Sequence, residues 1–135
     1  MFEYYVKKVS KVVDGDTIDV DIDLGFDISF SSRVRLAGID TPESRTTDKI
    51  EKALGLESKE YLKKAIDASK TVVIKTEKMD SSEKYGRILG WVFLDGSEIS
   101  INQKMNNDGY AWGYLGDTKV KDFEALSKAR SKSKK

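Results

Sequence analysis

A chain of 135 residues with no cysteine and no histidine is long enough for one hydrophobic core. It works without disulfides, thiolate nucleophiles, imidazole bases or the usual zinc ligands. Its 24 basic and 23 acidic side chains leave a formal net charge of +1, which is not the basic balance of a protein that coats duplex nucleic acid.

Catalysis at neutral pH therefore falls to Asp, Glu, Lys, Arg, Tyr, Ser or Thr, or to a metal held through oxygen, which points to calcium or magnesium. No apolar run is long enough to span a bilayer as a helix. No basic-then-apolar leader opens the chain, so the expectation is a cytoplasmic protein, with a processed, secreted mature form as the alternative.

In chain order, Val6, Val9, Val12 and Val13 mark a first strand, Ile18, Val20, Ile22 and Leu24 a second, and Ile28, Phe30, Val34, Leu36 and Ile39 a third. The second alternates cleanly, with Asp19, Asp21 and Asp23 on its outer face. Asp14-Gly15 and Leu24-Gly25 are the turn signals between them. Ser44 to Lys52 is polar and without periodicity, and reads as a loop. A helix follows from about Leu56 to Lys70, with Leu62, Ala65 and Ile66 on one side.

Val72, Val73 and Ile74 make a fourth strand, Met79 to Lys84 a loop, and Ile88 to Leu94 a fifth strand. Asp95-Gly96 turns into a short helix, Ser100 to Asn107, closed by Gly109. A last helix begins near Asp117 as N-cap and buries Val120, Phe123 and Leu126. Five strands with a helix after the third match an α+β, mainly β architecture: an OB-type barrel with three helices. Residues 1–130 read as one domain and 131–135 as a frayed basic tail.

Three stretches carry the chemistry. Asp16 and Asp40 each leave a strand with the parity of inward residues, so they meet at the barrel mouth. Two carboxylates there repel unless a cation lies between them, and a hard divalent ion resolves the conflict. Thr41 precedes Pro42 and is biased to extended backbone, which leaves its carbonyl available as a third ligand. Asp14-Gly15-Asp16 alone would be an ordinary hairpin turn. An EF-hand fails in either register, with Ile18 or Leu24 at positions that need a ligand or a glycine.

Glu43, three residues beyond Asp40, is placed to take a proton from water during attack on phosphorus. Arg35 and Arg87 offer forked donors that match phosphate oxygens. Arg33 shares a strand face with Arg35 and competes with it for that role. Lys84 and Tyr85 are candidates for a flanking phosphate, and Tyr110, Trp112 and Tyr114 for base stacking.

Val13-Asp14-Gly15-Asp16-Thr17, Arg35-Leu36-Ala37-Gly38-Ile39-Asp40-Thr41-Pro42-Glu43 and Lys84-Tyr85-Gly86-Arg87, with the weaker Gly55-Leu56-Glu57-Ser58, resemble the staphylococcal nuclease (thermonuclease) family from about Val6 to Leu126. The resemblance implies a calcium-dependent phosphodiesterase acting on DNA and RNA, single-stranded or frayed rather than intact duplex, working as a monomer and leaving 3′-phosphate ends. It implies one Ca2+ held by Asp16, Asp40 and the Thr41 carbonyl. Arg35 and Arg87 would act on the transition state, Glu43 as general base, and Lys84 and Tyr85 on the terminal phosphate. The alternative is a non-catalytic nucleic-acid-binding or protein-interaction module of the same fold.

Overall fold

The computed structural model describes residues 2–76, 88–113 and 123–133. Its principal strands are β1 (Phe2–Asp14), β2 (Thr17–Asp23), β3 (Ser29–Leu36), β5 (Val72–Thr76) and β6 (Ile88–Leu94). They close into a barrel in the order β1-β2-β3-β6-β5. All neighbours with a described register are antiparallel except β3 and β6, which run parallel with Val34 opposite Ile88. Two short strands, β4 (Ile39–Asp40) and β7 (Trp112–Gly113), pair outside the barrel. The helices are α1 (Lys49–Asp67), α2 (Ile101–Asn107) and α3 (Phe123–Ser133). This is the five-stranded OB-type barrel of an α+β fold.

The spacing of valines in β1 has a structural cause. The β1–β2 register shifts between Val6 and Lys8, between Val9 and Lys11, and between Val12 and Asp14. Each shift inserts an extra residue, so Val6, Val9 and Val12 are the residues opposite Ile22, Val20 and Ile18, at every third position instead of every second. Bulges of this kind bend a strand and increase its twist, which a small barrel needs to close. The core they help enclose holds Ile18, Val20, Ile22, Val34, Leu36, Ile74 and Val92, with Leu62 and Ile66 from α1 and Ile101 and Met105 from α2.

The outer face of β2 is acidic in sequence but paired in space. Arg33 donates to both oxygens of Asp19, at 2.8 and 3.2 Å, and that hydrogen-bonded guanidinium holds the Asp19 carboxyl below its usual range. Ser31 donates to Asp21 at 2.6 Å, and the Gly25 amide donates to Asp23 at 2.8 Å.

The third expected strand is two. A turn at Ala37-Gly38 separates β3 from β4, and so redirects the chain just before Asp40. The first helix begins at Lys49, well ahead of the Leu56 that the periodicity indicates. Asp48 caps it, accepting from the amides of Ile50 and Glu51 at 3.0 and 3.1 Å. Its early turns carry no apolar signal, because their buried positions are Glu51, Gly55 and Ser58. The helix ends at Asp67, short of Lys70. The expected cap at Asp117 and the burial of Val120 lie outside the described residues. α3 runs to Ser133, into the stretch expected to fray, with Leu126 buried. Among the described residues no helix is long and apolar enough to cross a membrane.

Candidate active site

A polar cleft of about 160 Å³ opens at one end of the barrel, lined by Asp14, Asp16, Thr17, Arg35, Asp40, Thr41, Pro42 and Glu43. Residues from the β1–β2 turn, the end of β3, β4 and the segment after β4 meet there. Their convergence follows from the register: Thr17 lies opposite Arg35, and the Leu36 amide donates to the Asp16 carbonyl at 2.8 Å. The start of β2 and the end of β3 are thus held side by side.

Arg35 is the hub. Its side chain is 11 % exposed, against 14 % for Asp16 and 6 % for Asp40. One terminal nitrogen donates to the Leu36 carbonyl at 2.6 Å, and the other to the Ile39 carbonyl at 2.8 Å. The second nitrogen also lies 3.5 Å from a carboxylate oxygen of each of Asp16 and Asp40. A planar fork fixed by two carbonyls thereby offsets repulsion between two carboxylates of low exposure. Asp16 further accepts from the Thr17 hydroxyl at 2.9 Å and from the Thr41 amide at 3.3 Å. Asp14 is tied to the Ser44 hydroxyl. Arg33, the competitor of Arg35, is instead engaged with Asp19 on the outer face.

The cleft carries four carboxylates (Asp14, Asp16, Asp40 and Glu43) against one guanidinium among its lining residues, an excess of formal negative charge. Oxygen donors with surplus negative charge suit a hard divalent cation. Among the described residues no group of three or more carboxylates is arranged to hold a metal by itself. Backbone carbonyls and water would have to complete any coordination sphere, which is ordinary for calcium and magnesium.

Lys84, Tyr85, Arg87 and Tyr114 lie outside the described residues. Trp112 sits opposite Asp40 in the β4–β7 ladder and meets Phe123 edge-on at 5.6 Å. Tyr110 is engaged from two sources: its ring stacks on Tyr61 at 4.4 Å, and the Arg130 guanidinium lies 4.2 Å from its centre.

A match to the family model described as "Staphylococcal nuclease homologue" covers residues 33–135. This chain belongs to the staphylococcal nuclease family. It is 30% identical to a thermonuclease of Staphylococcus hyicus over 95% of this chain and 70% of that protein. It is 29% identical to an uncharacterised protein of Methanocaldococcus jannaschii over 89% of this chain and 64% of that one. It is also 29% identical to a prophage-derived endonuclease of Bacillus subtilis, over 94% of this chain and 41% of the relative. The chain thus spans less than two thirds of the length of two of these three relatives.

Several residues that build the site carry no motif. Asn102 of α2 is 2 % exposed. It donates to the carbonyls of Ala37 at 2.8 Å and Gly90 at 3.2 Å, and accepts from the Val92 amide at 3.0 Å. It therefore pins the turn between β3 and β4 to β6. Its only signal in sequence is an amide beside the apolar Ile101 and Met105. Glu51 and Arg130 are likewise buried and polar.

Proposed function

We propose that this family member is a calcium-activated nuclease that hydrolyses phosphodiester bonds of DNA and RNA by in-line attack of water, leaving 3′-phosphate ends. The observation that carries the reading is the cleft itself: Asp16 from one stretch of sequence and Arg35, Asp40 and Glu43 from another line one pocket. The relatives that are a thermonuclease and an endonuclease support the same reaction class.

Asp16, Asp40 and the Thr41 carbonyl would hold one Ca2+, and the excess negative charge of the cleft supports that assignment. A bound divalent cation acidifies water and offsets charge on a phosphoryl oxygen. Glu43, exposed at the cleft, accepts the proton of the attacking water. Arg35 and Arg87 donate to the non-bridging oxygens as negative charge accumulates on them. Lys84 and Tyr85 hold the adjacent phosphate, and Trp112 and Tyr114 stand near the bases, the ring of Tyr110 being taken up by Tyr61 and Arg130. Because Arg35 and Asp40 are buried, a single strand or frayed end reaches them more easily than a closed duplex. The chain acts as a monomer.

The test is incubation of denatured DNA and of RNA with the protein in calcium, in magnesium and in chelator, with end-group analysis of the products. Calcium-dependent fragments ending in 3′-phosphate are expected. Glu43→Ala and Arg87→Ala should each lower turnover by about 10²-fold or more. Retarded but uncut nucleic acid in all three conditions would instead mark a binding module.

A further inference from the structure

α1 turns one stripe toward the rest of the molecule: Glu51, Gly55, Ser58, Leu62 and Ile66 are its buried residues. The lower half is apolar and completes the core with Leu62 and Ile66. The upper half is polar or lacks a side chain, and it packs against the segments whose residues line the cleft. Gly55 abuts the segment after β4 so closely that a Cβ there would lie 2.6 Å from the Glu43 carbonyl carbon and from the carbonyl oxygens of Pro42 and Glu43. Ser58 packs on the β1–β2 turn, where a Cβ on Gly15 would lie 2.8 Å from the Ser58 Cβ.

At the top of the stripe stands a carboxylate, Glu51, only 8 % exposed. Burying that group costs desolvation unless it is hydrogen-bonded. Glu51 Oε2 accepts from the Glu43 amide at 3.1 Å.

We propose that Glu51 is a positioning residue for the hydrolytic reaction, a role that rests on the nuclease reading above. Glu43 follows a proline whose ring fixes one torsion, and its own amide is tethered to the first turn of α1. The two constraints set where the Glu43 side chain leaves the backbone, and a general base must stand within hydrogen-bond reach of the water it deprotonates. The hydrogen bond does the positioning and the charge does not, so the amide oxygen of glutamine serves in its place.

The experiment compares wild type, Glu51→Gln and Glu51→Ala in two ways. One is steady-state cleavage of denatured DNA in calcium. The other is amide hydrogen exchange of Glu43 by NMR, read without metal or substrate. Glu51→Gln should keep kcat within about threefold of wild type, while Glu51→Ala should lose about tenfold or more in kcat with KM little changed. The Glu43 amide should be protected in wild type and Glu51→Gln and lose protection in Glu51→Ala.

An active wild type matched in kcat by Glu51→Ala would overturn the positioning role and leave the nuclease reading intact. So would an unprotected Glu43 amide in wild type, a measurement that does not depend on how Glu51→Ala folds. A Glu51→Gln protein as slow as Glu51→Ala would show that charge, not the hydrogen bond, matters, and the assignment falls. A wild type that cleaves nothing under calcium removes the nuclease reading itself, and this role with it.

Discussion

Arg35 donates to two backbone carbonyls and stands 3.5 Å from two carboxylates, so its removal leaves Asp16 and Asp40 facing each other at low exposure. Breaking a buried charge cluster by deleting one partner typically costs about 3–5 kcal/mol. Arg35→Ala should therefore lose about 3 kcal/mol in urea unfolding, and Arg35→Lys nearly as much, because an ammonium cannot bridge both carbonyls as the fork does. If Asp16 and Asp40 hold calcium, millimolar calcium should return part of that loss by binding the folded state. An Arg35→Ala protein as stable as wild type would show that the two carboxylates need no counter-charge. That Asp16 and Asp40 belong together is legible in the sequence, since each leaves its strand with the parity of inward residues. Arg35, of opposite parity to Val34 and Leu36, is legible only through the Arg35-to-Glu43 stretch it opens. Glu51 and Asn102 are not legible, because a buried polar residue has the same letter as a solvated one.

Tyr61 supplies a pH prediction at the same scale. Burial, then its hydrogen bond to Asp108 at 2.6 Å, pushes the phenol well above its ordinary value. A pKa raised in the folded state contributes stability that is present below the unfolded value, near ~10, and is lost as pH rises above it. The unfolding midpoint in urea should thus fall between about pH 10 and 12. Tyr61→Phe, with no proton to lose, should fall less steeply there. Parallel pH profiles for the two proteins would place the alkaline loss on another group.

Among the elements, the β2–β3 connection is strained in a way that its letters only half reveal. Gly25 is readable as a turn, but the two residues after it, Phe26 and Asp27, also adopt positive φ, 55° and 61°. Such a backbone is rare for a bulky side chain and costs roughly 1 kcal/mol or more. The turn holds because the Ile28 amide donates to the Gly25 carbonyl and the Leu24 amide to the Ile28 carbonyl, each at 2.9 Å. Phe26 is 98 % exposed and so contributes no burial in return. Phe26→Asn, which tolerates the left-handed region, should raise the thermal midpoint by a few degrees with cleavage unaffected, because the turn lies at the far end of β2 from Asp16. A lower midpoint would mean that Phe26 has contacts in solution that this turn does not account for. α1 shows the complementary case: helix periodicity finds the half that enters the core and misses the half that supports the segments lining the cleft.

At the scale of the molecule, three elements far apart in sequence converge on Arg130 of α3, which is 4 % exposed. Its guanidinium donates to the Gly109 carbonyl at 3.1 Å, to Glu57 at 3.0 Å and to the Ser58 hydroxyl at 3.2 Å. Ser58 in turn donates to the Tyr110 carbonyl at 2.7 Å. The Gly55-Leu56-Glu57-Ser58 stretch thereby acquires a concrete structural role. Its glycine fits the Glu43 backbone, and its last two residues receive α3. No sequence pattern could have paired Arg130 with Glu57, since one more arginine in a lysine-rich helix reads as solvated surface.

A helix as short as α3, 11 residues, is marginal alone, so it depends on this docking and on Leu126, whereas the barrel has its own core and closed hydrogen-bonding. Arg130→Ala should therefore release α3 before the barrel opens. In native-state hydrogen exchange, the amides of α3 should become a separate unit of low protection, while those of Ile18, Val20 and Val34 stay near wild type. Equal loss of protection in α3 and the barrel would instead make them one cooperative unit, with Arg130 part of the core that holds the cleft together.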